Sequence, residues 1–133
     1  EFVDGVNLGQ LMRGGRIATL DLSRGSLAGV EIRGLRIDYL TLAGSEASDL
    51  LFVDCIIGSL DAPQAKLQRV AFHGCRVTDV DNRGWRAEHV DLRGLEAVHY
   101  LDMPALRGTT LSERQTNALG RDFAAAAGVD VRD

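Results

Sequence analysis

The sequence contains little proline, cysteine and lysine, and it has no long apolar run. Only 2 prolines stand beside 15 glycines in 133 residues, which excludes a proline-rich linker. Two cysteines cannot form the disulfide framework of a small secreted domain, so a reducing, cytoplasmic location is expected. The apolar runs fall far short of the roughly 20 residues of a membrane helix, so no membrane association is expected.

Charge and chemical motifs are also sparse. The net charge is −4, from 15 basic and 19 acidic residues, so direct nucleic-acid binding through charge is not expected. The sequence has neither a P-loop nor a glycine-rich dinucleotide motif. Its 3 histidines contain no i, i+4 pair, and no cluster of histidines and carboxylates suggests a metal site. These features predict a protein without catalytic residues, without a cofactor and without enzymatic activity.

What the sequence does contain is a period of five. Every fifth residue from Leu20 to Ala105 is apolar in 16 of 18 cases, and every fifth residue from Leu22 to Ala97 in 15 of 16. In extended backbone, residues two apart point to the same side, so both apolar positions of a unit face a common interior. The residue between them faces outward, and glycine often ends the unit, as a corner with φ > 0 or a close backbone approach requires. Each unit is therefore a short strand followed by a corner.

Units such as Val90-Asp91-Leu92-Arg93-Gly94 resemble the A(D/N)LXX signature of the pentapeptide-repeat family. The resemblance covers residues 17–108, about 18 consecutive units. It implies a bacterial-type, all-β solenoid, a right-handed quadrilateral β-helix with four units per coil. Residues 1–16 fit the register poorly and are expected to form an irregular N-terminal segment or a first coil. Residues 109–133 are expected to form a C-terminal helix and tail.

Four units per coil place each residue beside its counterpart four units later, on a neighbouring coil about 4.8 Å away. Phe52 and Phe72 fall in one interior column and are predicted to stack. Cys55 and Cys75 fall in another. Their side chains point in parallel directions within a packed core, which favours buried free thiols over a disulfide.

The pattern breaks at two places. Trp85 occupies a column whose preceding members are small, and the polar Asn82 stands nearby at an inward position, so a local distortion is predicted near residues 82–87. The second break is at Met103-Pro104, where the register of five is lost. The solenoid is expected to end there.

The C-terminal segment has the signals of a helix. Ser112 and Gln115 form a predicted capping box, and Leu119 and Phe123 recur at helical spacing before Gly128 supplies a stop. An open solenoid end exposes unpaired backbone and apolar core, so the helix is expected to cap the last coil. The alternative is dimerisation, which the family resemblance also implies for C-terminal helices.

One candidate partner surface is apolar. Leu51, Val53 and Ile56 occupy outward or corner positions, and Ala71 extends the Leu51 column on the next coil. Exposed apolar clusters of this kind favour a protein partner or self-association. The alternative is that the N-terminal segment or a neighbouring molecule covers them.

A second candidate surface is acidic. Asp21, Asp61 and Asp81 point outward in one column, which Thr41 interrupts. The family resemblance implies a known activity for acidic rods of this kind, which is mimicry of DNA towards type II topoisomerases. That activity requires a continuous negative field, and arginines interrupt the faces here. The sequence therefore favours a non-enzymatic protein-interaction module, with modulation of a topoisomerase and a structural spacer in a larger protein as alternatives.

Overall fold

The chain folds into parallel strands that wind around a common core. The computed structural model describes the backbone of residues 7–133 and the side chains from residue 14 onward. Residues 1–6 of the predicted N-terminal segment lie outside the described residues. The strands of the described part are β1 (Asn7–Arg13), β2 (Arg16–Asp21), β3 (Ser26–Arg33), β4 (Arg36–Thr41), β5 (Glu46–Val53), β6 (Ile56–Asp61), β7 (Lys66–His73), β8 (Cys75–Asp81), β9 (Arg86–Asp91), β10 (Leu95–Ala97) and β11 (Thr109–Thr110).

Odd-numbered and even-numbered strands form separate sheets. One sheet has the order β1-β3-β5-β7-β9-β11, and the other has the order β2-β4-β6-β8-β10. Each strand pairs in parallel with the next strand but one along the chain, so Phe52 lies beside Phe72 and Leu60 beside Val80. In the regular coils this register corresponds to four five-residue units per coil. The predicted all-β solenoid is confirmed.

The backbone makes each coil four-sided. A residue with positive φ bends each of β3, β5, β7 and β9 in the first sheet, as Asp49 does in β5 with φ 54 and Arg69 in β7 with φ 54. The bend divides that strand into the first and second faces, and a strand of the second sheet forms the third face. The fourth face is a turn whose backbone still bonds from coil to coil, as the N–H of Gly44 does to the carbonyl of Pro63 at 3.0 Å.

The interior is one continuous apolar core, built from several columns of stacked side chains. Phe52 and Phe72 lie on adjacent coils with ring centroids 5.0 Å apart and planes 9° apart, which confirms the predicted stack. The buried cluster continues without interruption from Leu20 to Leu119. Stacked aromatic rings and closely packed aliphatic side chains join each coil to the next, so this packing stabilises the register between coils.

Two corner glycines show different reasons for the same residue. Gly74 has a φ of +62°, which an L side chain rarely adopts. Gly94 does not share this conformation; instead, a Cβ atom there would collide with the carbonyl oxygen of Phe72 on the preceding coil. Glycine is needed at the second position for close backbone approach.

The strand pairing does not show the distortion predicted near residues 82–87. The strands before and after this segment, β8 and β9, keep the regular register of one coil. The fully buried Asn82 bonds to both backbone groups of Asp102, donating to its carbonyl at 2.9 Å and accepting from its N–H at 2.8 Å. The indole N–H of Trp85 donates to the carbonyl of Ala105 at 2.7 Å. The backbone of residues 102–105 thus supplies hydrogen-bond partners for the Asn82 amide and the Trp85 indole N–H.

A short 3-10 helix precedes β11, the last strand of the first sheet, and two α-helices follow it. The 3-10 helix is Pro104–Leu106, and the α-helices are α1 (Glu113–Ala118) and α2 (Gly120–Ala126). The predicted capping box is present, because Ser112 Oγ accepts from the N–H of Gln115 at 3.1 Å while Gln115 Oε1 accepts from the N–H of Ser112 at 2.8 Å. The buried Leu119 separates the two helices, where the sequence predicted one.

Helix α1 closes the open end of the solenoid. Gln115 Nε2 donates to the carbonyl of Leu92 at 2.8 Å and to the carbonyl of Leu95 at 3.1 Å. In the interior of the solenoid, such carbonyls accept from the backbone of the next coil, as the carbonyl of Cys55 does from the N–H of Arg76. A side-chain amide therefore replaces part of a missing coil, which supports the capping role expected for this segment.

Candidate interaction surfaces

Three of the four candidate apolar residues lie on the two faces that adjoin one corner of the third coil. Strand β5 ends at Val53 and β6 begins at Ile56, and Asp54 turns the chain between them with φ 54. Cys55, the other residue of the turn, points into the core and is fully buried. We call Leu51, Val53 and Ile56 the apolar corner. Leu51 and Val53 lie on the second face, and Ile56 lies on the third.

Exposure differs within the apolar corner. Ile56 is 49% exposed, whereas Leu51 and Val53 are half-buried, as is Ala71 beside Leu51 on the next coil. Among residues 14–97, no other large aliphatic side chain is exposed, and Tyr39 is the other large apolar one. An isoleucine that is half exposed within a regular strand contributes little to the fold and leaves apolar area in water.

Basic side chains border the apolar corner on the neighbouring coils. Ile56 pairs with Arg36 on the preceding coil and with Arg76 on the following one. Val53 pairs in the same way with Arg33 and His73. These basic residues were not among the candidates predicted from the sequence, although four units per coil place Arg36 and Arg76 beside Ile56.

The three arginines beside the apolar corner differ in their ion pairs. Arg33 Nε bonds to Glu31 at 2.8 Å, and this carboxylate raises the pKa of the Arg33 guanidinium. Arg76 Nε lies 3.7 Å from Glu96, with both side chains mostly exposed. Within residues 14–133, Arg36 forms no ion pair, so its charge is available to a ligand.

The acidic candidates also lie together. Asp61 and Asp81 are direct neighbours on β6 and β8, and Asp21 is separated from Asp61 by Thr41 on β4. All three aspartates are half-buried, and Thr41 is buried. We call Asp21, Asp61 and Asp81 the acidic column. The coil register therefore forms the column that the sequence placed there, including its interruption.

Local donors occupy every carboxylate of the acidic column. Asp81 accepts two hydrogen bonds from the Arg83 side chain, at 2.6 Å and 2.9 Å, and this guanidinium lowers the pKa of Asp81. The hydroxyl and N–H of Ser23 bond to Asp21 and lower its pKa likewise. Asp61 accepts from the hydroxyls of Tyr39 and Thr41 at 3.0 Å and 3.2 Å. The column is thus a set of satisfied side chains, with one full charge neutralised by Arg83.

The cysteines and histidines form no catalytic or metal-binding cluster among the residues with described side chains. Cys55 and Cys75 are buried free thiols, as predicted. Each thiol donates to a backbone carbonyl, Cys55 to that of Val53 and Cys75 to that of His73, both at 3.4 Å, and the neighbouring Cys55 thiol and burial raise the pKa of Cys75. All three histidines are exposed, and among the residues with described side chains no three His, Cys, Asp or Glu side chains are grouped to hold a metal ion. In the same part of the chain, no helix combines the length and apolar character needed to cross a membrane.

Comparisons with known proteins add little. No protein-family model matches the chain, and no curated protein matches it. Among solved structures, the chain is similar to two trypsin-treated forms of QnrB1, a plasmid-mediated fluoroquinolone resistance protein. One has 14% identity over 99% of each chain with a TM-score of 0.23. The other has 15% identity over 96% of this chain and 100% of that chain, with a TM-score of 0.21. These scores indicate poor superposition, so the solenoid assignment depends on the strand register described above.

Proposed function

We propose that this chain is a non-enzymatic, cytoplasmic protein-interaction module whose partner binds at the apolar corner. The observation that supports this proposal is Ile56, the most exposed large apolar side chain of residues 14–97, which lies in a regular strand. Val98 and Leu101 are also exposed, but they lie outside the strands. Covering an isoleucine that is half exposed removes apolar area from water, and each square ångström is worth about 25 cal/mol. The stacked coils beneath hold this surface rigid, so a partner would not have to order it on binding.

The test is site-specific photocrosslinking in cells that make the protein. A benzophenone amino acid replaces Ile56 in one variant and Gln68 in a second. Gln68 is also exposed and outward but lies on the first face, opposite the third face of Ile56. We expect irradiation to give a discrete adduct from position 56 and none from position 68. Mass spectrometry of the adduct identifies the partner, and an adduct of two copies identifies self-association.

A matched substitution separates specific binding from random contact. Val53→Asp places a charge in the apolar corner without touching the crosslinker at position 56, and it should abolish the adduct. Equal labelling from positions 56 and 68, or an adduct that survives Val53→Asp, would contradict the proposal. Failure of both positions to crosslink would favour the structural spacer.

The alternative function is modulation of a type II topoisomerase through DNA mimicry. The observation in its favour is the acidic column, which the register assembles on one side of the rod. The observation against it is that Arg83 neutralises Asp81 and that hydroxyl groups engage the two other carboxylates. A gyrase supercoiling titration at two salt concentrations tests it. Salt-sensitive inhibition at micromolar protein, lost in Asp61→Asn, would favour mimicry; no effect at a large excess would exclude it.

A further inference from the structure

The surroundings of the apolar corner are more basic than the chain as a whole. The chain carries a net charge of −4, yet Arg33, Arg36 and Arg76 occupy the coils directly above and below the corner. Neighbouring coils are about 4.8 Å apart, so a ligand atom resting on Ile56 lies within reach of both flanking guanidinium groups. Arginines thus flank Ile56 on both sides within one row, whereas the acidic Glu31, which is bonded to Arg33, lies beside Leu51 on the second face.

The guanidinium groups nearest Ile56 are open to a ligand. Arg36 has no ion-pair partner within residues 14–133. The contact of Arg76 with Glu96 spans 3.7 Å between side chains that are 73% and 66% exposed, and pairs of this kind are weak in water. Two acidic residues lie near the corner, but neither stands in the row of Ile56: Asp54 lies at the turn between the two faces, and Glu31 lies beside Leu51 and is bonded to Arg33. A row of arginine, isoleucine and arginine thus runs along the third face.

We infer that the apolar corner binds an acidic protein segment in which a large apolar side chain is flanked by carboxylates. This inference rests on the proposed function, because it names the chemistry of the partner at the same surface. The apolar side chain would cover Ile56 and Val53, while carboxylates on either side bind Arg36 and Arg76. Arginine presents a planar fork that matches a carboxylate with two hydrogen bonds, so this row discriminates acidic from basic segments.

The test uses a display library of random peptides selected against the purified wild-type chain. Enriched peptides are synthesised, and their affinity is measured by fluorescence anisotropy at low and at physiological salt. The test variant carries Arg36→Glu and Arg76→Glu. The control variant carries Arg86→Glu and Arg114→Glu, two exposed arginines on the first face and on α1, so both variants have the same net charge. Ile56→Asp is the third variant, and thermal unfolding checks that each variant is folded.

We expect the enriched peptides to be acidic and to contain a large apolar residue. Their affinity should fall about tenfold or more in the Arg36→Glu/Arg76→Glu variant and change little in the control variant. Peptides that lose affinity only in Ile56→Asp and are neutral or basic would overturn this inference and leave the proposed function standing. Enrichment of no peptide that depends on Ile56 would overturn both. Binding of a short random-sequence DNA duplex that is lost in the Arg36→Glu/Arg76→Glu variant would also overturn it, because the arginines would then serve phosphate.

Discussion

The middle coils and the last coil of this solenoid are stabilised by different interactions. In the middle coils, a side chain stacks on its counterpart in the next coil, as Phe52 does on Phe72. At the last coil no further coil follows, and polar side chains take over. Asn82, on the preceding coil, bonds to the backbone of Asp102 on the last coil, and Gln115 bonds to the open carbonyls of the last coil.

This difference shows that a sequence repeat encodes apolar stacking between coils but not the hydrogen bonds at the end of the solenoid. A repeated apolar position needs only a similar neighbour, so many sequences satisfy it. The end of a solenoid must satisfy specific donors and acceptors, and each needs a partner of defined geometry. The middle coils should therefore be sensitive to lost volume, whereas the last coil should be sensitive to lost hydrogen bonds.

The largest expected effect is loss of volume in the aromatic stack. Phe72→Ala should lower the free energy of unfolding by about 3–5 kcal/mol, because it removes a buried ring from between packed coils. Urea unfolding followed by circular dichroism measures the change. A loss below about 1 kcal/mol would mean that the two aromatic rings do not support each other.

The next largest loss of stability is expected from a substitution in the helix that caps the last coil. Gln115→Glu keeps an acceptor for the N–H of Ser112, so the capping box survives, but it removes the donor to the carbonyls of Leu92 and Leu95. We expect a loss of about 1–3 kcal/mol at neutral pH, since a carboxylate would then face those carbonyl oxygens. Urea unfolding of Gln68→Ala, an exposed glutamine of a middle coil, supplies the control. Equal stability of Gln115→Glu and wild type would show that α1 caps by packing alone.

A smaller loss of stability is expected when the hydrogen bond between Trp85 and the last coil is removed. Trp85→Phe keeps an aromatic ring in the column but removes the indole N–H that donates to the carbonyl of Ala105. The expected cost is about 1–2 kcal/mol, the value of one buried hydrogen bond and some lost area. If thermal unfolding shows no change, the tryptophan is present for its volume, and the contrast between middle and last coils weakens.

The sequence predicted the middle coils far better than the last one. The period of five placed Phe52 on Phe72 and Cys55 beside Cys75, because each of these contacts follows from spacing alone. The distortion expected at Trp85 and Asn82 does not occur in the strand pairing. Their partners at Asp102 and Ala105 are backbone groups, and backbone carries no side-chain signal in the sequence.

The candidate surfaces show the same limit. Spacing alone assembled Asp21, Asp61 and Asp81 into a column. It did not reveal that Arg83 and Tyr39 occupy two of those carboxylates, because side-chain orientation decides which neighbour is within hydrogen-bond distance.

Removal of a buried polar group from the middle coils, the Ser45 hydroxyl, is expected to raise stability rather than lower it. The hydroxyl of Ser45 is fully buried and has no hydrogen-bond partner among the described residues. Ser45→Ala removes this unsatisfied group at little cost in volume, so it should raise the free energy of unfolding by up to about 1 kcal/mol. Urea unfolding measures the change, and a destabilised variant would indicate that the hydroxyl has a partner, such as an internal water.

The smallest effect belongs to the outward position of the repeat. Arg76→Ala should change the free energy of unfolding by less than about 0.5 kcal/mol, because the side chain is mostly exposed and its contact with Glu96 is long. Urea unfolding of wild type and variant at the same salt concentration measures it. Near-neutrality would mean that this arginine is free for a role other than stability, as binding at the apolar corner requires. A loss as large as that of Phe72→Ala would place Arg76 among the residues that hold the coils together, and the distinction between inward and outward positions would fail.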